Sequence, residues 1–233
     1  MLDPEGLTCY NTKTMKEKIA LGEYYHIFNR GNNKQDIFFD SRDWIRFLFL
    51  ILYFQSSLPI YNIGRQVTYF NRHQVFNIST EKIIKDRITE LVSFALMPNH
   101  FHLILYESKQ DGIPKYMNKI QDGYTKYINT KYNKSGHLFQ GRFQRVHIKN
   151  NNQLLYLSTY IHRNPRELKH WTGKEEKFPW SSYQDFSQKN RWGELLKHQI
   201  ITEQFSNPNE YKLFTEQSIA KLLDKDKKLL LDH

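Results

Sequence analysis

Cysteine is almost missing from this chain: Cys9 is the single one in 233 residues. That excludes an internal disulfide and a cysteine-rich zinc site, and it fits a reducing setting such as the cytoplasm. A long apolar run is missing too. The longest, "WIRFLFLILYF" at residues 44–54, is too short for a spanning helix and starts beside charges, so no membrane span is expected. The polar N-terminus and the stretch "EKIALGEYYHIFNRG" carry no apolar segment followed by a cleavage site, so no signal peptide is read there. Acidic side chains are in the minority. There are 24 Asp and Glu against 34 Lys and Arg, with a formal net charge of +10 and a pI near 9.4. Spread evenly, that excess concerns solubility. Gathered in one cleft it attracts phosphate, and nucleic acid fits better than an anionic membrane surface.

What the chain has in quantity is aromatic surface. Its 16 Phe, 15 Tyr and 4 Trp can build a core, because each ring buries a large area, and that argues against disorder over most of the length. Residues 1–20 read as a tail, 21–187 as the folded domain and 188–233 as a C-terminal helical extension. "GEYYHIFNRG" reads as a strand ending at a glycine turn. A helix is predicted over 41–56, with Ser41 as N-cap and Phe47, Leu48, Ile51 and Leu52 at helical spacing. Residues 58–87 are a polar, mixed insert with a short strand expected at "HQVFNI". "RITELVSFALM" and "HFHLILYE" form a hairpin around Pro98-Asn99. Ile113, Tyr116, Met117, Ile120, Tyr124, Tyr127 and Ile128 mark a second long helix, which Gly123 weakens without ending. "FQRVHI" is a short strand. "NNQLLYLSTYIHRNP" is a helix capped by Asn150 or Asn151 and stopped at Pro165. The order predicts an α+β chain with a ferredoxin-like βαββαβ core and one additional helix. Beyond it, "FPWSSYQDF" reads as an aromatic turn or loop and "TEQSIAKLLDKDKKLLLDH" as a charged amphipathic helix.

Three groups of residues bear on chemistry. His100 and His102 are two apart in a strand, so they share a face while Phe101, Leu103 and Leu105 share the other. Parallel imidazoles can hold a divalent metal; two imidazoles satisfied by hydrogen bonds in a half-buried strand fit the same pattern. Two ligands leave a site incomplete. In the later helix, Tyr156, Tyr160 and Asn164 are spaced by four and stack on one face. A phenol can attack phosphorus and form a covalent ester, a metal would ease that attack, and an asparagine one turn on could offer it a carbonyl oxygen. A core tyrosine and a helix-terminal asparagine explain the same spacing.

The third group is basic. Between Pro114 and Lys149 eight Lys or Arg face one acidic residue, Asp122, and "GHLFQGRFQR" interleaves Phe139 and Phe143 with Arg142 and Arg145. Such mixtures suit single-stranded nucleic acid, where bases stack and phosphates pair; a solvated basic face over core phenylalanines is the plainer account. Arg30 and Lys34 follow the first strand, and "NRGNN" is a polar loop able to grip a phosphate or a base edge and equally a tight turn with no ligand.

Together the segments "YYHIFNRGNNKQDIF", "FALMPNHFHLIL", "GHLFQGRFQ", "YIHRNP" and "WSSY", in that order over residues 22–187, resemble the IS200-like transposases, especially the REP-associated tyrosine transposases. The resemblance implies a His-hydrophobic-His metal motif at His100 and His102, a nucleophilic tyrosine at Tyr160 and a third metal ligand at Asn164, with Mg²⁺ or Mn²⁺ as the ion. It implies cleavage of single-stranded DNA near hairpins, through a 5′-phosphotyrosine that leaves a free 3′-OH. Arg30, Lys34, Arg142, Arg145 and Lys149 are the candidate DNA contacts. By chemistry alone Tyr124, Tyr127 and Tyr156 rival Tyr160; only Tyr160 fits the motif. A homodimer is compatible with the family, and use of the tyrosine within one chain or across two stays open. The sequence departs from the common pattern in the length of 58–87 and in the segment after 187. A DNA-hairpin-binding protein that no longer cuts is the alternative reading, and an RNA-binding protein using the same basic face is a third.

Overall fold

Strand β1 (Tyr24–Arg30) is followed by a 3-10 turn (Asn32–Lys34) and helix α1 (Ser41–Tyr53). The computed structural model describes residues 18–218. Most of the expected N-terminal tail, including Cys9, and the greater part of the expected terminal amphipathic helix therefore lie outside the described residues. Helix α1 corrects one expectation: its N-cap is Asp40, not Ser41. Asp40 has the extended backbone of a cap, and its carboxylate accepts the N–H groups of Arg42 and Asp43 at 2.9 and 3.1 Å. Asp43 answers by accepting from the Asp40 N–H, so two orphan donors are satisfied reciprocally.

The segment 58–87 folds into helices α2 (Ile63–His73) and α3 (Glu81–Lys85), and the strand expected at "HQVFNI" is not formed. His73 closes α2, and Gln74 turns into the left-handed region to end it. Phe76 then folds back onto Phe70 and Phe49, with ring centroids 4.4 and 5.1 Å away. Aromatic packing onto α1, not a strand, sets this segment.

Strands β2 (Thr89–Met97) and β3 (His100–Glu107) form the expected hairpin around Pro98-Asn99, and helix α4 (Gly112–Tyr132) follows. Strand β4 (Gln144–His147) leads into helix α5 (Asn151–Arg163). The four strands make one antiparallel sheet in the order β2-β3-β1-β4. The chain is thus of mixed α+β type. Phe101, Leu103 and Leu105 point to one face, where Phe101 meets Phe47 of α1 at 5.2 Å between centroids and α4 packs alongside. The other face carries His102 and Ser93 and is covered by α5.

Past Pro165 the chain runs through short 3-10 turns and a short helix α6 (Tyr183–Ser187). Trp180 accepts the Leu96 N–H and Ser182 donates to the Phe94 carbonyl, each at 2.9 Å. The "WSSY" stretch therefore covers the outer edge of β2. A single turn, α7 (Gln199–Thr202), precedes helix α8 (Pro208–Gln217), which packs on α5. The Arg163 guanidinium donates to the carbonyls of Thr215, Glu216 and Ser218. It thus satisfies acceptors that the end of α8 leaves open.

Candidate active site

The site begins in the β2–β3 turn. Gly31 donates its N–H to Asn99 O at 2.8 Å, and a Cβ on Gly31 would lie 2.0 Å from Gln35 O. The glycine of "NRGNN" is therefore required by close backbone approach. Asn99 in turn donates from Nδ2 to Lys34 O at 3.2 Å, which leaves its Oδ1 facing His100 Nδ1 at 2.7 Å. An amide oxygen only accepts, so Nδ1 of His100 carries the proton and Nε2 is the lone-pair nitrogen of the neutral ring.

Helix α5 supplies the opposite side. Asn150 caps it through Gln153 N–H at 2.9 Å. Its end tightens into the 3-10 turn Asn164–Glu167 because Pro165 has no N–H to continue the ladder. Asn164 is fully buried and donates from Nδ2 to Tyr160 O at 2.9 Å. That orientation turns its Oδ1 toward His100 Nε2 at 3.5 Å. Tyr160, buried with 8% exposure, sets its ring edge-on to His102, the centroids 5.6 Å apart. His100 and His102 are themselves perpendicular at 5.1 Å. The structure thus gathers His100, His102, Tyr160 and Asn164 on one face of the sheet.

Two lone-pair groups aimed at each other are suited to a cation. Among the described residues no three His, Cys, Asp or Glu side chains are grouped to hold a metal ion; the set that fits here is two imidazoles and an amide oxygen. Nitrogen and neutral oxygen donors of this kind accept Mn²⁺ or Mg²⁺ when water and phosphate fill the remaining positions.

The rival tyrosines separate. Tyr124 donates to Ile37 O at 2.8 Å and Tyr127 to Asp43 at 2.9 Å, both from α4 on the far side of the sheet. Burial pushes the Tyr124 phenol well up, and burial followed by the Asp43 hydrogen bond pushes Tyr127 to about 12. Tyr156 sits half-buried one turn before Tyr160 on α5.

The basic residues divide as well. Arg30 is the cross-strand partner of His100, on the same face, and its Nε donates to Gln140 at 2.7 Å. Lys34 joins through its backbone carbonyl while its residue stays exposed. Arg145 is paired with Ile27, which puts it on the Phe101 side of the sheet. There it lines a groove of about 1070 Å³ with Arg142, Lys126, His137 and Phe143. Lys149 is exposed just ahead of α5.

Sequence reasoning missed His26. Fully buried in β1, its Nε2 lies 2.9 Å from His102 Nδ1. The signal was present, since His26 and Phe28 alternate in "YYHIFNR", but their face is fixed only by pairing with β3. His162 was passed over too. Its Nε2 meets Ser182 Oγ at 2.8 Å and Ser93 Oγ at 3.1 Å, and its Nδ1 meets Tyr211 OH at 2.7 Å. Burial, with the nearby His198 adding to it, drives its pKa down to about 3.

Comparisons with known proteins agree with this architecture. Residues 64–164 match a family described as transposase IS200 like, a span that holds His100, His102 and Tyr160 and ends on Asn164. A solved structure, described as a REP-associated tyrosine transposase bound to a REP hairpin, is similar in fold. Its TM-score is 0.51 at 16% identity, and the match covers 75% of this chain and 84% of that one. No curated protein matches the chain in sequence. No helix among the described residues is long and apolar enough to cross a membrane.

Proposed function

We propose that this chain is an IS200-like transposase of the REP-associated kind, with a ferredoxin-like core, that nicks and transfers single-stranded DNA beside hairpins. The observation that carries the reading is the convergence of His100 Nε2 and Asn164 Oδ1 at 3.5 Å with Tyr160 beside His102. The family match over 64–164 and the fold likeness to a hairpin-bound transposase support it.

In this reading His100, His102 and Asn164 would hold Mg²⁺ or Mn²⁺, which when bound neutralises charge on the phosphate and lowers the barrier to attack. Tyr160 Oη forms a bond to phosphorus and the P–O3′ bond breaks. The phenolic proton leaves through solvent, and the departing 3′ oxygen ends protonated as the free hydroxyl. The other DNA segment stays joined through a 5′-phosphotyrosine, which preserves the bond energy for rejoining. Tyr160 lies beside the imidazoles of its own chain, which supports attack within one subunit. Arg30 is placed to steer the strand entering this face, and the Arg142 and Arg145 groove to take phosphates on the other, with Lys149 and Lys34 at the margins.

The test is a labelled single-stranded hairpin DNA incubated with the protein and Mn²⁺, then resolved under denaturing conditions. A covalent band that disappears in Tyr160→Phe, with native-gel binding retained, is the expected result. Binding without any covalent band would favour the non-cutting hairpin binder, and an adduct persisting in Tyr160→Phe would move the nucleophile elsewhere. A preference for RNA would favour the third reading.

A further inference from the structure

We propose that His26 is a positioning residue whose Nε2 accepts a hydrogen bond from the Nδ1–H of His102, locking His102 in the tautomer that bears its lone pair on Nε2. The use assigned to that lone pair rests on the metal site proposed above; the tautomer assignment stands apart from it.

The register brings the two rings together. Phe28 is the Cα partner of His102 and His26 that of Ile104, so His26, Phe28 and His102 share one face. The His26 and His102 rings are nearly parallel and meet edge to edge, with 18° between their planes and 5.1 Å between centroids, and Phe28 packs on His26 at 4.8 Å. His26 is fully buried and His102 is 7% exposed, so both rings are fixed by packing as well as by the hydrogen bond. Two imidazole nitrogens at 2.9 Å share one proton. If His102 supplies it, Nε2 of His102 is the basic nitrogen. If His26 supplies it, Nε2 of His102 carries hydrogen and cannot be a ligand.

The neighbouring imidazole shows the same plan. His100 has its Nδ1 tied to Asn99 at 2.7 Å and presents Nε2 toward Asn164. With His26 as acceptor, both imidazoles present the same nitrogen and each has its own partner behind it. Such partners orient the ring and raise its basicity as a ligand. Phe28 helps by holding the His26 ring in plane. His26 lies outside the span 64–164 over which the family match runs.

Two measurements on the full chain decide the point. In metal-free protein labelled with ¹⁵N-histidine, two-bond ¹H–¹⁵N spectra should show His102 protonated at Nδ1; protonation at Nε2 overturns the proposal. Mn²⁺ affinity without DNA, followed by the free-ion EPR signal, should fall about tenfold or more in His26→Phe. His26→Gln, whose Oε1 accepts the same hydrogen bond, should recover most of the affinity. A folded His26→Phe that binds Mn²⁺ as tightly as the parent also overturns it. If the parent binds no Mn²⁺, the metal reading fails while the spectrum still decides the tautomer, and the spectrum serves equally if His26→Phe does not fold.

Discussion

His100 Nε2 and Asn164 Oδ1 face each other across 3.5 Å, each turned that way by a hydrogen bond made on its other side. Asn99 and the Tyr160 carbonyl thereby hold strand β3 and the end of α5 facing each other. Asn164→Ala removes one side of that pair and should weaken Mn²⁺ binding by about tenfold or more, going by the effect of removing metal-site groups in general. His100→Ala should cut Mn²⁺-dependent nicking by a large factor. Titration calorimetry checks the first and a nicking assay at limiting Mn²⁺ the second; unchanged values would take the residue out of the site.

Asp43 is fully buried and holds the start of α1 to the end of α4. It accepts from Lys131 Nζ at 2.6 Å, Tyr132 OH at 2.7 Å and Tyr127 OH at 2.9 Å, besides the Phe39 N–H. Asp43→Ala leaves those donors unanswered and should cost about 3 kcal/mol, or roughly 6–12 °C in a chain of this size. Thermal unfolding measures it. Below the lowered midpoint, Mn²⁺ binding should survive, since Asp43 lies on the side of the sheet away from His102.

His162 gives the fold an acid limit. Its folded pKa of about 3 lies below the ordinary value of 6.5, so the unfolded chain takes up the proton first as pH falls. The contribution is complete above about pH 6.5 and disappears progressively between there and about 3, with about 2 kcal/mol gone by pH 5. His198 is lowered by burial as well and acts with the same sign. Denaturant unfolding at pH 7 and pH 5 should show the drop, and His162→Gln should show a smaller one. An equal drop in both proteins would place the acid sensitivity in other groups.

Arg142 and Arg145 line one groove, apart from the imidazole face. Replacing both with Ala should lower the slope of log affinity against log salt by about 0.7 for each phosphate of single-stranded DNA that the two guanidinium groups neutralise. Nicking at saturating DNA should be nearly unchanged. Binding titrations across a salt series test this; an unaltered slope would mean that the groove carries no phosphate.

The elements most legible in the sequence were those whose periodicity reports burial directly. The β2–β3 hairpin, α4 and α5 came from apolar spacing and turn residues, and the structure brings His100, His102, Tyr160 and Asn164 to one face of the sheet. Where tertiary packing decides, the sequence was mute or misleading. Phe76 lies in the stretch expected as a short strand but serves as a plug on Phe49 and Phe70. Asp40 displaced Ser41 as cap because Asp43 could answer it. The partnership of His26 with His102 depends on antiparallel register between segments 76 residues apart, which no local pattern encodes. Arg145 was read as a candidate DNA contact from charge alone, and only the pairing of β4 with β1 shows that it lies on the face away from His102.

Strand β1 has a consequence for how small this protein can be made. It lies between β3 and β4 in the sheet order, and β4 is paired with β1. A fragment trimmed to residues 64–164 would keep the histidines, the tyrosine and the asparagine. It would lack the strand that joins β4 to the rest, the ring behind His102, and the carbonyls of Thr215 and Glu216 that anchor Arg163. The span of the family match is thus narrower than the set of elements that hold these residues in place, and a minimal version is expected to need everything from β1 to the end of α8.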